Sequence, residues 1–187
     1  MPPKIKITKS DIIQAALEMV KEKGVASVNA RSLATALNCS TQPIFSNFST
    51  MDELQEAIKG SAYECYLSFL KRELDSKKYP EYKALGIAYI RFAREERELF
   101  RLLFMCDRQG QDLTPTEDFK ASVEIIVNSL GITRERAELM HLEMWACVHG
   151  IATMLATSFL SLDWELVSAM LTDTYMGLKA KHLNKEG

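Results

Sequence analysis

Apolar residues recur at three- and four-residue spacing along almost all of this 187-residue chain, and nowhere do they alternate with polar residues over a strand's length. The few glycines and prolines stand at punctuation points between the periodic stretches. This pattern predicts an all-α fold of roughly nine helices. Hydrophobic residues make up 47% of the chain, enough for a substantial core, which excludes a disordered segment, a collagen or a disulfide-dense miniprotein. No internal repeat or low-complexity tract is visible.

The punctuation places the helices. Ser10 reads as the cap of a first helix, with Asp11 at the positive end of its dipole and Gly24 as its stop. A second, short helix follows Asn29 and turns Leu33, Ala34 and Leu37 inward. Asn38 then falls where a left-handed residue is wanted. Ser40 caps a third helix over 41–48, and Pro43 is tolerated in its first turn, where the N–H has no helical acceptor. Thr50 and Glu53 form a capping box opening a long fourth helix to about Lys77. Tyr79-Pro80 breaks it. A fifth helix runs from Pro80 to about Arg94 and a sixth from about Glu95 to Cys106. After a loop at 107–114, Pro115 starts a seventh that ends before Gly131. Thr133 caps an eighth to about Leu160, and Ser161 a ninth to about Lys181.

Residues 29–48 have the layout of a helix-turn-helix, which presents its second helix to the major groove of DNA. Ile44 and Phe48 supply the inner face of that second helix, which leaves Thr41, Gln42, Phe45, Ser46 and Asn47 outside. Gln and Asn can bond both groups on the adenine edge, and Ser or Thr can bond phosphate or base. Periodicity alone leaves open a plain helical bundle in which the motif only packs.

The residues themselves are more specific. Asn29-Ala30-Arg31-Ser32-Leu33-Ala34, Ala36-Leu37-Asn38-Cys39-Ser40, Ile44-Phe45-Ser46-Asn47-Phe48 and Asp52-Glu53-Leu54 together resemble the DNA-binding domain of the TetR family of transcriptional regulators. The resemblance covers residues 8–56. Trp145, His149 and Gly150 (W-x-x-x-H-G) resemble a signature in the regulatory domain of one branch of that family. The resemblance implies a homodimeric repressor that binds a pseudo-palindromic operator and is released by a small-molecule effector. It divides the chain into a DNA-binding domain over 1–50 and a helical ligand-binding and dimerisation domain over 51–187. Carried over by position, it implies DNA contacts from Asn29, Arg31, Ser40, Thr41, Gln42, Phe45 and Asn47, beside a basic arm of Lys4, Lys6 and Lys9. Three residues depart from the family pattern. Phe45 stands where Tyr is commonest, Asn47 where Tyr or His is, and Met51 where a Lys usually meets the DNA backbone. Each loses a phosphate contact, although Phe45 can still touch a thymine methyl. A protein that neutralises few phosphates has a shallow salt dependence.

In the C-terminal part, Phe100, Phe104, Met144, Trp145 and His149 are the candidate lining of an apolar effector pocket, beside the plainer reading as ordinary core. Gly150 is expected to permit close approach of a neighbouring helix. Ile151, Leu155, Phe159, Trp164, Val167 and Leu171 form more apolar face than one bundle needs and predict a dimer surface. The alternative is a helical-bundle binding or scaffold protein that does not bind DNA.

Charge first argues against DNA, since the chain totals −2. Divided, residues 1–48 carry an excess of +3 and the remainder −5. A modestly basic head sits on an acidic body. The four scattered cysteines lack metal-ligand spacing and predict reduced thiols in a cytoplasmic protein. Residues 144–162 contain no charged side chain, but His149, Gly150 and several Thr and Ser interrupt them, so they read as a buried helix rather than a membrane span. No nucleophile elbow, phosphate loop or paired Glu-x-x-His is present, and three histidines at 141, 149 and 182 do not make a metal site. The expectation is no catalysis, no metal and no cofactor.

Overall fold

The computed structural model describes residues 7–107 and 116–184. Among these residues the fold is all-helical: α1 (Lys9–Lys23), α2 (Ala30–Ala36), α3 (Gln42–Asn47), α4 (Met51–Ser76), α5 (Glu81–Glu95), α6 (Arg97–Phe104), α7 (Glu117–Leu130), α8 (Arg134–Ala156) and α9 (Trp164–Leu183), with one short 3-10 turn at Val25–Ser27. Lys4, Lys6 and Pro115 lie outside the described residues.

The described chain forms two compact units. Residues 7–67 and 96–106 make the first, and residues 68–95, 107 and 116–184 the second. This division differs from a cut after residue 50: α4 contributes to both units, and α6 packs with the N-terminal helices.

In the first unit, α1 is the hub and contacts α2, α3 and α6. Ile12, Ala16 and Val20 of α1, Leu33 of α2, Ile44 of α3 and Leu54 and Ile58 of α4 are completely buried. Local chemistry sets the ends. The cap of α1 is Thr8, not Ser10: its hydroxyl accepts the Asp11 N–H at 3.2 Å, and the Asp11 carboxylate accepts the Thr8 N–H at 2.8 Å. Those bonds, the Thr8 backbone first, hold the Asp11 carboxyl below its ordinary value. Gly24 ends α1 at φ +77°, and a Cβ there would sit 2.9 Å from the Glu98 carboxylate of α6. The dihedral is what calls for glycine, since the Glu98 side chain could swing aside.

In the second unit, α8 packs against α5, α7 and α9. Gly86 of α5 is the close approach: a Cβ would lie 3.3 Å from Val148 of α8 and 3.7 Å from Leu171 of α9. Gly150, expected to play that part, has nothing within 4 Å of its own Cβ position. Helix α8 stops at Ala156, short of Leu160, because Ser158 turns left-handed at φ +58° and the Phe159 N–H bonds back to the Met154 carbonyl at 2.9 Å. Asp163, not Ser161, caps α9, accepting the Leu166 N–H at 2.7 Å. Helix α8 is long and apolar enough to cross a membrane, yet Met140, Met144, Val148, Ile151 and Leu155 are buried within its own unit.

Candidate nucleic-acid interface

The helix-turn-helix is α2, a tight turn and α3. Asn29 caps α2: its Oδ1 accepts the Arg31 and Ser32 N–H groups at 3.1 and 3.0 Å, while Ser32 Oγ accepts the Asn29 N–H. The turn is set by Asn38 at φ +50°, where the Cys39 N–H bonds to the Ala34 carbonyl at 2.9 Å. Thr41 enters α3 without a side-chain cap bond, and Pro43 sits in the first turn. Ile44 and Phe48 are buried at 0% and 1% exposure, which fixes the rotation of α3.

That rotation sends Gln42, Phe45 and Ser46 outward. Phe45 is 51% exposed, although a large aromatic on a six-residue helix has every hydrophobic reason to be covered. Thr41 and Asn47 are half-buried, and Ser40 and Arg31 are exposed. The Asn47 Nδ2 donates one N–H to the Pro43 carbonyl at 2.8 Å, which leaves its Oδ1 and second N–H for other partners. Ser46 likewise turns its hydroxyl to the Gln42 carbonyl. Lys9 is pinned: its ammonium lies 3.1 Å from Glu53 Oε1 and 4.6 Å above the Phe48 ring. The expected box at Thr50 forms in part. The Thr50 hydroxyl accepts the Glu53 N–H at 3.1 Å, but the carboxylate reaches one residue further back, to the Ser49 N–H at 2.8 Å. The Ser49 backbone first, then Lys9, lowers the Glu53 pKa.

The electrostatics of this face are simple. No carboxylate occurs between Glu22 and Asp52, and Arg31 is the one charge on α2 and α3. A surface of small polar groups with one arginine and one exposed ring can approach a polyanion without repulsion.

The other predicted sites fare differently. Phe100 and Phe104 belong to the first unit, where Phe104 meets Tyr66 edge-on at 5.2 Å and Phe100 at 5.4 Å. Met144, Trp145 and His149 belong to the second, where Met144 is buried and Trp145 is 47% exposed. Met144 thus faces the core of its unit, while its neighbour Trp145 leaves about half of its surface to solvent. His149 stacks on Trp145 at 4.9 Å and bonds the buried Tyr89 hydroxyl through Nδ1 at 2.9 Å; burial lowers its pKa. His141 pairs with Tyr82 at 2.8 Å and His182 with Glu143 at 2.8 Å, so the three histidines stand apart in separate pairs.

Of the predicted dimer residues, Ile151, Leu155, Val167 and Leu171 are 0–4% exposed. They are core of the second unit and are not available to a partner. Trp164 is half-covered by Arg91 and Arg94, whose guanidinium groups lie 4.4 and 5.1 Å from its ring. Phe159 is 76% exposed. Sequence reading missed Leu139, Leu142, Leu166 and Met176, which are all about half exposed on α8 and α9. It also missed an open groove of about 540 Å³ whose lining includes Lys78, Tyr79, Trp164 and Asp173. The missed signal is an offset of the α8 apolar pattern, with Leu139, Leu142 and Trp145 at helical spacing on one face.

Residues 82–174 match the family described as the tetracyclin repressor-like C-terminal domain. The chain is 21% identical to an uncharacterised HTH-type transcriptional regulator of Mycobacterium tuberculosis, covering 94% of this chain and 81% of that protein. Its fold is similar to a TetR variant from Acinetobacter baumannii AYE solved in complex with minocycline, with a TM-score of 0.53, 21% identity and 94% of each chain covered. A helix-turn-helix preceding that C-terminal domain is the arrangement of a DNA-binding transcriptional regulator, and the chain belongs to the TetR family.

Proposed function

We propose that the protein is a homodimeric repressor that binds a pseudo-palindromic operator and leaves it when a small molecule binds the second unit. The observation that carries this reading is the outward face of α2 and α3. Arg31, Gln42 and Phe45 stand exposed on a segment without carboxylates. In this reading Arg31 holds phosphate, Gln42 reads a base edge, and Phe45 packs on a thymine methyl. Asn29, Ser40, Thr41 and Asn47 border the same contact, with Lys9 and the sequence-assigned Lys4 and Lys6 beside it.

Dimerisation supplies the second half-site, because paired recognition helices read sites one helical turn apart. The candidate surface is the exposed apolar set Leu139, Leu142 and Trp145 on α8 and Leu166 and Met176 on α9. Gly150 and Gly177, with open space at their Cβ positions, allow a partner helix to come close. The effector favours a conformation in which the two recognition helices no longer match successive major grooves. The groove at Tyr79 and Trp164 is the first place to seek it. A soluble regulator of this kind works in the cytoplasm, without a metal, cofactor or catalytic step.

The test is a gel shift with duplex DNA from upstream of the protein's own coding region, at 50 and 200 mM salt. A sequence-selective shift by the dimer, abolished in the Gln42→Ala, Arg31→Ala double variant, supports the reading. No retarded species at either salt overturns it.

A further inference from the structure

We propose that Glu53 limits DNA affinity by holding Lys9 in an ion pair that phosphate must break. The inference rests on the DNA-facing reading of the helix-turn-helix and adds a positioning residue that touches no DNA itself. Lys9 opens α1, and Glu53 lies in the first turn of α4. Their charged groups are 3.1 Å apart, and the same ammonium sits over the Phe48 ring at the end of α3. The second carboxylate oxygen of Glu53 is fixed by the Ser49 N–H at 2.8 Å. Glu53 is therefore anchored by the backbone and aimed at Lys9 by its other oxygen, rather than meeting it by chance.

The charge inventory makes this pair matter. Arg31 is the one charge on α2 and α3, so Lys9, held over the Phe48 ring at the end of α3, is a cation placed where it can add to that face. Both partners are about half exposed, at 51% and 42% of their side-chain surface. Exposed pairs of this kind hold weakly, so a phosphate can compete for the ammonium. Competition costs affinity for every copy bound.

Replacing Glu53 by Gln isolates the effect. The Gln Oε1 still accepts the Ser49 N–H, so the start of α4 keeps its cap, while the charge that holds Lys9 is gone. Each released lysine that reaches a phosphate steepens the dependence of log K on log salt by about 0.9. At 50 mM salt, Glu53→Gln should bind the operator duplex roughly threefold or more tighter than the wild type, with the advantage fading by 200 mM. The full chain, Lys9→Gln, Glu53→Gln and the double variant are titrated by fluorescence anisotropy at four salt concentrations. Thermal melts check that all four are folded. A steeper slope for Glu53→Gln that vanishes in the double variant supports the proposal. An unchanged slope overturns it, and so does a gain that persists without Lys9, because the carboxylate would then act by direct repulsion. A wild type that binds no duplex overturns the DNA-binding reading as well, which distinguishes the two failures.

Discussion

The helix-turn-helix shows solvent mostly small polar side chains, whereas α8 and α9 show it leucine, tryptophan and methionine. Both regions rest on a fully buried apolar core, so the contrast lies in what each leaves outside. Local bonds place the outward groups of the first region: caps at Asn29 and Thr50 and a left-handed Asn38. The second region is arranged by packing between helices distant in sequence, and its exposed apolar groups have no polar role to explain them. One surface suits a hydrated polyanion and the other suits a partner that excludes water.

The sharpest way to break this contrast is to remove the shared feature, the core. Ile44 is completely buried and sets the rotation of α3. Ile44→Ala should cost about 2–5 kcal/mol of stability and abolish operator binding together with the first unit's fold. Urea unfolding followed by circular dichroism reads this directly. A stable variant that still binds would mean that α3 is held by something other than its inner face.

The next test addresses the apolar surface. Trp145 is 47% exposed, and His149 stacks on it in a nearly parallel arrangement. An anchor of this type at a dimer centre contributes about 2–4 kcal/mol, so Trp145→Ala should weaken self-association by roughly 30- to 1,000-fold. Sedimentation velocity over a concentration series measures it. An unchanged dimer would move the interface to Phe159 and Leu166.

For the polar surface, Gln42→Ala should flatten discrimination between operator variants by about 1–3 kcal/mol at one base position. Arg31→Ala should instead weaken all sequences alike and lower the salt slope by about 1. Competition binding against a panel of single-base variants separates the two. Equal behaviour of both variants would deny Gln42 a reading role.

Much of the first region was legible because its signals are local. Asn38 adopts the left-handed turn that its side chain tolerates, and the inward set Leu33, Ala34, Ile44 and Phe48 is buried as the period requires. The capping errors in both regions are of one kind: Thr8 caps where Ser10 was expected, Thr41 takes the cap position of α3 where Ser40 was, and Asp163 caps where Ser161 was. Several residues able to cap lie within a few positions, and only the backbone path chooses among them. In the second region the apolar residues were visible but their direction was not. Ile151, Leu155, Val167 and Leu171 face inward because α5 and α7 cover α8 from the side that a two-helix reading leaves open. The same holds for the glycines. Gly86 is the tight contact and Gly150 is open, a distinction that depends on neighbours 62 and 85 residues away at Val148 and Leu171.

The second unit also holds the chain's three histidines, and one of them makes its stability pH-sensitive near neutrality. Burial pushes the His141 pKa down to about 4, from an ordinary value near 6.5. The unfolded chain therefore binds a proton that the folded chain refuses. Stability is unaffected above pH 7 and falls as pH drops through 6.5 toward 4. Allowing for partial screening, the loss between pH 7 and 5 should be about 1–2 kcal/mol. Denaturant titrations at the two pH values measure it, and His141→Gln should reduce the slope, with the half-buried His149 keeping a contribution of the same sign.

The smallest effect sharpens the comparison at Asn29, where folding and binding roles meet in one side chain. Asn29 Oδ1 already accepts two N–H groups at the start of α2. Asn29→Ala should cost about 1 kcal/mol, the usual value of a lost cap. That loss alone cannot separate a cap from a phosphate contact, because both vanish together. Asn29→Asp can. Aspartate caps as well as asparagine, and its charge suits the positive end of the helix, so stability should hold or rise slightly. If Asn29 faces phosphate, the new carboxylate repels it, and operator affinity should fall several-fold with the fold intact. If affinity holds along with stability, Asn29 is a cap alone, and the phosphate contacts of this face begin at Arg31.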